Sequence, residues 1–422
     1  MIYLKNCTYI NSETLEFTTT DILVEEGLNG NIHFYNQKPA DLVVTETIDC
    51  KGKLVTHSFA NGHHHVYSAL ARGMGAPKKN PVNFYEVLQY IWWTLDKCLD
   101  KDMIQASALA TALACAKNGV SFVVDHHASP MAIDNSLQII ADAFDKIGVS
   151  HLLCYEITDR DGLDKAAKGL AETERYLQIQ QGLVGLHASF TVGNDTLQRA
   201  VNLSRKYNSG LHIHIAEDNY DQEHCIDSYG MRVIERMQKH AVLNFDKTIL
   251  GHCLFLNDTE KKTIANSRSW VVQNMESNLN NRVGYFDGKG LGNRIMLGTD
   301  GMHSDMLQSA RSVFLAGKDH EIIGPMDVYQ RFRNAHQYIK ANNFTGDAAN
   351  NLVVLDYDTP TEINSINFAG HFVYGMNSKH VQHVISNGKL IIKDSIITTV
   401  EESEVLSFCR EMGKKLWVEM QK

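Results

Sequence analysis

The strongest constraint on the fold is an alternation of short apolar runs with longer amphipathic segments between residues 57 and 345. Several of the intervening segments have helical spacing and end in Gly. Eight strands alternating with helices predict a closed parallel (β/α)8 barrel, also called a TIM barrel. A doubly wound open sheet is the structural alternative, but no Gly-rich dinucleotide fingerprint supports it. The eight runs are KLVTHSFAN, VSFVVDHH, SHLLCYE, GLVGLHA, GLHIHIAE, TILGHC, SWVVQN and RIMLGTD.

Strand-like segments also occur at both ends of the chain, in residues 1–56 and again in residues 346–422. Because both segments are rich in short strands, we expect them to pair into one small β-sandwich domain beside the barrel. A closing helix is predicted over residues 401–421. The predicted fold is therefore α/β, with a (β/α)8 barrel and a small β-sandwich domain built from both chain ends.

Composition excludes several classes of partner. The formal net charge is −9 without a long basic run, so we expect no nucleic acid. The eight cysteines are scattered and form no Cys-x-x-Cys pair, which is typical of reduced thiols in a cytoplasmic protein. The N-terminus lacks the regions of a signal peptide, and no apolar stretch is long enough to span a membrane. We therefore expect a cytoplasmic protein without a membrane partner.

Three consecutive histidines follow the first apolar run. Side chains of a strand alternate between its two faces. His63 and His65 would therefore share one face, and His64 would point to the other. This spacing predicts two candidate metal ligands rather than three.

Other runs also end in residues that suit a metal site. His187 lies at the end of the fourth run, His214 in the fifth, His252 in the sixth and Asp300 at the end of the eighth, while Glu217 follows His214 by three residues. In such barrels the chemistry lies at the carboxyl ends of the strands, which all meet at one face. The repeated placement therefore predicts a metal centre at that face.

Three imidazoles and one carboxylate suit zinc or ferrous iron, with a water molecule completing the coordination. A metal in such a site makes its bound water acidic enough to attack at neutral pH. Glu217 is offset from His214, so it is free to move a proton between that water and a substrate.

These motifs, in this order, resemble the amidohydrolase superfamily, in the branch that holds the cytosine, guanine and thiomethyladenosine deaminases and the triazine hydrolases. Within that branch the chain is most similar to the aminohydrolases called SsnA, and the resemblance covers nearly the whole chain. The matching segments are Asn61-Gly-His-His-His65, Leu70-Ala-Arg-Gly73, His187-Ala-Ser-Phe-Thr191, His214-Ile-Ala-Glu217, Leu250-Gly-His-Cys253, Ser277-Asn278-Leu279 and Leu297-Gly-Thr-Asp-Gly301.

The resemblance implies a role for each residue. One divalent metal, zinc or alternatively iron, would be held by His63, His65, His214 and Asp300. Glu217 would be the proton shuttle, Asp300 would also accept a proton from the metal water, and His252 would orient that water. His187 would contact the substrate. We also expect a homo-oligomer, specifically a dimer.

The sequence departs from the family pattern in two places. Relatives with two metals bridge them with a modified lysine of the fourth strand, whereas this chain has Leu186-His187 there, so we expect one metal. The seventh motif usually has proline before Ser-Asn, whereas Met275-Glu276 precede Ser277 here. The second departure affects the shape of the local loop rather than the chemistry.

Substrate contacts are predicted from the loops after strands two and three. His127 and Arg160 are the candidates because both loops would face the same mouth. The alternatives are an internal salt bridge for Arg160 and a hydrogen bond to a neighbouring protein group for His127. The aromatic residues Tyr90, Trp92 and Trp93 belong to a segment that often covers the site, and their spacing favours helix packing over a stacking platform.

The predicted function is hydrolysis of a C–N bond, specifically deamination of a purine- or pterin-like heterocycle with release of ammonia. Because histidine and arginine can bind a carbonyl edge, we expect an oxo-substituted ring rather than a nucleoside. Dechlorination or ring amide hydrolysis by the same centre is the alternative reaction. A catalytically silent metal-binding protein is the alternative from another class, but it would have no need of Glu217.

Overall fold

The computed structural model describes all of residues 1–422. Its strands are β1 (Ile2–Ile10), β2 (Phe17–Val24), β3 (Ile32–Tyr35), β4 (Glu46–Asp49), β5 (Leu54–His57), β6 (Phe59–His64), β7 (Val120–His127), β8 (Ser150–Tyr155), β9 (Val184–Ala188), β10 (Leu211–Ile215), β11 (Ile249–His252), β12 (Trp270–Gln273), β13 (Ile295–Leu297), β14 (Leu352–Leu355), β15 (Val381–Ser386), β16 (Lys389–Lys393) and β17 (Ile396–Ile397).

The α-helices are α1 (Phe84–Val87), α2 (Trp93–Cys98), α3 (Lys101–Lys117), α4 (Ser136–Ile147), α5 (Leu163–Leu177), α6 (Asn194–Lys206), α7 (Asn219–Tyr229), α8 (Val233–Lys239), α9 (Asp258–Ala265), α10 (Met275–Asn281), α11 (Met306–His320), α12 (Pro325–Ala341), α13 (Phe368–Tyr374) and α14 (Glu402–Met420). A π-helical segment, Leu88–Trp92, joins α1 to α2. No helix is both long enough and apolar enough to cross a membrane.

The eight strands β6 to β13 run parallel and form the barrel. Hydrogen bonds join β6, β7 and β8 into one group and β9 to β13 into another. Isolated parallel bridges join the two groups at both edges, pairing Leu153 with Gly182 and Ile157 with Leu186 at one edge and His64 with Asp300 at the other. The eight strands therefore close into a ring, as the sequence predicts. Every residue of β7 is buried, which is typical of a barrel strand covered by helices on its outer side.

The strands at the two chain ends form a separate nine-stranded sheet. Its order is β17-β16-β15-β14-β5-β1-β2-β3, and β4 pairs with β1. The contact between the two ends is made by β5 and β14, which pair antiparallel from Leu54 with Leu355 to His57 with Leu352. Eleven buried residues give this sheet a core of its own. The expected small β domain built from both ends is therefore present.

The first apolar run, predicted as one strand, is divided between the two domains. β5 belongs to the nine-stranded sheet, and β6 begins the barrel after the single residue Ser58. The Arg333 guanidinium of α12 donates hydrogen bonds to the backbone carbonyls of His57 (3.1 Å) and Ser58 (2.8 Å). These bonds satisfy carbonyl groups at the point where the chain leaves one sheet for the other.

The closing helix α14 packs against the barrel beside α3 and the segment that follows β6. The indole Nε1 of Trp417 donates a hydrogen bond of 2.8 Å to the carbonyl of Leu70. The thiol of Cys409 lies 3.3 Å from the carbonyl of Ala106 in α3. The C-terminal helix thereby supports the segment that follows the three histidines.

Candidate metal centre and cavity

The predicted metal ligands come together at the carboxyl ends of strands β6, β10 and β13. The Nε2 atoms of His65 and His214 are 3.2 Å apart. Asp300 Oδ1 lies 3.1 Å from His65 Nε2 and 3.7 Å from His63 Nε2. The ring centroids of His63 and His214 are 5.2 Å apart. Four side chains from three distant segments of the sequence therefore surround one point.

The donor set fits a divalent cation such as zinc. His63 Nε2 is buried and has no hydrogen-bond partner, although such atoms are nearly always paired in a folded protein. Three imidazole nitrogens and one carboxylate oxygen are ligands that zinc accepts. Separations of 3.1 to 3.7 Å between donor atoms suit ligands that bind a common ion at about 2.0–2.2 Å. The residues present therefore fit a divalent metal ion.

Three imidazoles at the centre, those of His63, His65 and His252, have a partner on the nitrogen that faces away from the cluster. His65 Nδ1 lies 2.6 Å from the carbonyl of His126, and His252 Nδ1 lies 2.8 Å from Asn278 Oδ1. His63 Nδ1 lies 2.9 Å from Nε2 of His212. Such partners fix the ring orientation and leave Nε2 directed towards the cluster.

His64 points away from this cluster. Its Nδ1 atom lies 3.0 Å from the hydroxyl of Thr299, and its Nε2 atom lies 3.4 Å from the hydroxyl of Ser304. The rings of His63 and His65 are instead 4.8 Å apart, centroid to centroid. The structure thus brings His63 and His65 together and separates His64, in the way that strand alternation predicts.

Glu217 and His252 lie beside Asp300. His252 Nε2 is 3.5 Å from Glu217 Oε2 and 3.7 Å from Asp300 Oδ2. Burial raises the pKa of Glu217 well above its usual value, and the nearby Asp300 carboxylate raises it further. Burial alone would also raise the pKa of Asp300, but the adjacent imidazoles of His63 and His65 hold it well below the usual range. The surroundings therefore shift the pKa values of the two carboxyl groups in opposite directions, as an acid–base pair requires.

Several residues at this face have backbone conformations that residues other than glycine rarely adopt. Ala216, His252 and Asp300 have φ angles of 46°, 67° and 53°. Left-handed backbone at residues other than glycine costs energy and often accompanies functional sites. A Cβ atom at Gly298 would lie 2.8 Å from His63 Cβ, so only glycine permits the end of β13 to approach this histidine.

A cavity that is partly open to solvent lies above the cluster. Aromatic and apolar residues from the segment between β6 and α3 form one wall, and polar residues near α10 contribute another part of the lining. The mixed apolar and polar lining is typical of a site for a small organic molecule. The lining residues are His65, Tyr67, Ser68, Phe84, Leu88, Trp92, Trp93, Glu156, Arg160, His187, His214, Glu217, His252, Ser277, Asn280, Asn281, Asp300, Gly301 and Met302.

The three predicted substrate contacts are placed differently. His187 lines the cavity, and its Nδ1 atom lies 2.7 Å from the hydroxyl of Thr191. Arg160 also lines the cavity, but its guanidinium is engaged by protein carboxylates, which was the structural alternative. His127 is fully buried outside the lining, with Nε2 2.9 Å from the hydroxyl of Ser129. The structure therefore brings His187 and Arg160 to the cavity but not His127.

Sequence reasoning missed three buried residues at the centre. His126 of β7 stacks on His212 of β10 with ring centroids 4.6 Å apart, and neither ring nitrogen of His126 has a partner. Potential ligand atoms of His126 and Glu156 lie within 4.8 Å of those of His65 and His214. A signal for His212 was present, because it is separated from His214 by one residue and so shares its strand face, as His63 does with His65.

The barrel and the cluster at its strand ends define the protein as a hydrolase of the metal-dependent barrel type. A model of the amidohydrolase family matches residues 54–335, which is more than half of the chain. The protein belongs to the amidohydrolase family. It is a hydrolase that acts on a carbon–nitrogen bond, as the sequence analysis expects.

Similar proteins extend over almost the whole chain. The 5'-deoxyadenosine deaminase of Methanococcus vannielii is 26% identical over 417 residues, covering 93% of this chain and 95% of the relative. The 5-methylthioadenosine/S-adenosylhomocysteine deaminase of Thermococcus sibiricus is 25% identical over 413 residues, covering 93% and 94%. Both relatives are thus matched over nearly their full length.

Two solved structures share the fold. An adenosine deaminase from Xanthomonas campestris with bound zinc superimposes with a TM-score of 0.84 at 17% identity, covering 98% of both chains. The atrazine chlorohydrolase TrzN from Arthrobacter aurescens TC1, complexed with zinc, gives a TM-score of 0.81 at 14% identity, covering 98% of this chain and all of the other. At these identities the similarity establishes the architecture.

Proposed function

We propose that the protein is a zinc-dependent deaminase that removes an exocyclic amino group from a purine ring and releases ammonia. One observation carries the proposal. Glu217, His252 and Asp300 converge beside the histidine cluster at the floor of a partly open cavity. This arrangement combines a metal centre with a proton donor and acceptor, as hydrolytic deamination requires.

His63, His65, His214 and Asp300 would hold the metal, and zinc fits this set best, with iron as the alternative. When bound, zinc lowers the pKa of a coordinated water from 15.7 to about 7 and so supplies a nucleophile at neutral pH. A single metal is favoured because the fourth strand has Leu186 and His187, and no lysine that would bridge a second ion.

The protein side chains would guide the proton through the reaction. Burial raises the pKa of Glu217 and so favours its protonated form, which donates a proton to a ring nitrogen and makes the amine-bearing carbon more electrophilic. Asp300 accepts a proton from the attacking water, and His252 orients that water. The leaving amine takes the proton from Asp300 and departs as ammonia, while the new hydroxyl returns a proton to Glu217 as the ring carbonyl forms. His187, at the cavity wall, is the proposed contact to the ring.

An adenosine-type purine is favoured over the oxo-substituted ring expected from sequence. That expectation depended on Arg160 offering its guanidinium to a carbonyl, whereas its nitrogens contact Asp96, Glu156 and Asp161. The relatives that match nearly the full chain are named as deaminases of adenosine derivatives, which supports the same choice.

An ammonia-release assay with the purified, zinc-loaded protein tests the proposal. The panel would hold adenosine, 5'-deoxyadenosine, adenine, guanine, an aminopterin ring and a chlorotriazine. Ammonia from adenosine derivatives is the expected result. Chloride release from the triazine alone would favour dechlorination, and no turnover of any compound by protein that retains zinc would overturn deamination in favour of ring amide hydrolysis or a silent metal-binding role.

We place the enzyme in the cytoplasm because all eight cysteines are free thiols, which suits a reducing compartment. The dimer implied by the family resemblance stays a prediction, which light scattering of the purified protein would test.

A further inference from the structure

The cavity lining has an unusual balance of charge. Arg160 is its only lysine or arginine, whereas three carboxyl groups, those of Glu156, Glu217 and Asp300, also line it. A substrate that enters this cavity loses most of its water. Its charges must then be matched by groups of the wall, because burying an unpaired charge is expensive.

The positive charge of Arg160, the one basic side chain of the lining, is already neutralised by carboxylates of the protein. Arg160 donates from Nη2 to Asp96, from Nη1 to Glu156 Oε1 at 3.4 Å and from Nε to Asp161 Oδ2 at 3.1 Å. Its side chain is only 7% exposed and lies 5.0 Å from the ring centre of Trp93. All three guanidinium nitrogens are therefore engaged, and no free fork remains to receive a carboxylate or a phosphate.

Asp96 is the carboxylate that most clearly occupies the Arg160 guanidinium. It lies on α2, within the segment that forms a wall of the cavity, and it is buried without lining the cavity itself. Asp161 is shared, because the ammonium of Lys97 approaches its other oxygen at 2.9 Å. Glu156 faces the cavity and contributes negative charge there.

We propose that the cavity selects uncharged purine derivatives and excludes anionic ones, because Asp96 and its partners neutralise Arg160, the only basic side chain of the lining that could receive a phosphate or a carboxylate. This inference rests on the proposed deamination and narrows its substrate class to free bases and nucleosides without an acidic group at the 5' end. Asp300 and the metal it would hold offset each other's charge, so an anion at the 5' end would meet Glu156 and find no free arginine or lysine.

The first experiment compares matched substrates on the zinc-loaded wild-type protein. Adenosine and adenosine 5'-monophosphate share the reacting ring and differ in the phosphate, while 5'-methylthioadenosine carries an uncharged 5' group as a control for size. We expect kcat/KM for the monophosphate to be at least roughly tenfold below that for both uncharged compounds, since like-charge contacts strongly penalise a wrong ligand.

The second experiment changes the charge balance. Asp96→Asn keeps the side-chain shape and frees part of the Arg160 guanidinium, so the ratio of kcat/KM for adenosine to that for the monophosphate should fall. Lys97→Met is the matched control, because it removes a neighbouring charge that contacts Asp161 at the surface and not Arg160. Its ratio should stay close to that of the wild type.

The outcomes separate the two proposals. Ammonia from no purine at all would refute the proposed function. If the protein deaminated adenosine and the monophosphate with equal efficiency, deamination would stand and the charge selection would be overturned. The exposed Arg282, next to the lining residue Asn281, would then be the candidate for binding the phosphate. A strong preference for adenosine that Asp96→Asn leaves unchanged would overturn the assignment to Arg160.

Discussion

His63 Nδ1 lies 2.9 Å from His212 Nε2, so one buried imidazole orients another at the proposed metal centre. If His63 binds a metal through Nε2, its proton is on Nδ1, and Nε2 of a neutral His212 ring accepts the hydrogen bond from Nδ1. His65 is held by a backbone carbonyl and His252 by a side-chain amide. Of these three rings only His63 depends on a second histidine, which stacks in turn on His126.

Replacing His212 should therefore weaken metal binding without removing a ligand. Loss of a partner of this kind typically lowers metal affinity by about 10–100-fold, so His212→Phe should show a loss of that order in a zinc competition assay with a chelator. His212→Asn retains an oxygen acceptor and should recover part of the affinity. Equal zinc affinity in His212→Phe and the wild type would contradict the positioning role.

Glu217→Gln should abolish most turnover while the protein keeps its metal and fold. The amide is nearly isosteric but cannot exchange a proton, and general acid–base catalysis typically contributes about 10²–10⁴-fold. The measurements are kcat in the ammonia-release assay and zinc content of the same sample. Wild-type activity in the variant would rule out the assigned proton shuttle.

The three consecutive histidines should differ in their effect on metal content. His63→Asn and His65→Asn each remove a nitrogen of the cluster, whereas His64→Asn changes a side chain that contacts Thr299 and Ser304. We expect large zinc losses in the first two variants and near-stoichiometric zinc in the third, measured by elemental analysis. The same zinc loss in all three would show that the strand-face argument is wrong.

The free energy of unfolding should decrease at acidic pH because of a cluster between the two domains, formed by His57, His336 and Asp347. His336 Nδ1 of α12 lies 2.7 Å from Asp347 Oδ2, and His57 Nε2 of β5 lies 3.3 Å from Asp347 Oδ1. Burial lowers the pKa of His336 to about 4, against about 6.5 in the unfolded chain. Below pH 6.5 the unfolded chain binds a proton that folded His336 does not, so the free energy of unfolding decreases until the pH reaches about 4.

His336→Asn isolates this contribution, because it removes the titrating ring and keeps a donor for Asp347. Between pH 7 and pH 5 the wild type should lose roughly 1–2 kcal/mol more of its unfolding free energy than the variant does, in urea titrations. A parallel pH dependence of the two proteins would show that His336 does not titrate as its burial requires.

The barrel and the ligand positions were accessible from sequence because both follow from local patterns. Apolar runs that end in His214, His252 or Asp300 place these residues at one face once the strands are known to be parallel. His64 could be separated from its neighbours by alternation alone. The division of the first run at Ser58 was not visible, because both halves have the composition of a buried strand.

The ion pairing of Arg160 could not be derived from the sequence in the same way. Its strongest partner, Asp96, is 64 positions away in a segment whose docking depends on the folded barrel. Sequence identifies Arg160 as a cation near the mouth, but only tertiary contacts reveal that its charge is already neutralised. Residues whose role depends on distant neighbours, such as His126 and Glu156, are hidden for the same reason.

The bridge between His64 and Asp300 has a consequence for biosynthesis. It joins the first and the last barrel strands, and the proposed ligands on either side of it are separated by 237 positions (300 minus 63). A nascent chain cannot assemble the four-ligand site until Asp300 has left the ribosome, so zinc would be captured late in synthesis. Chains truncated before Asp300 would carry the histidines without their carboxylate partner and would have little ability to retain the ion.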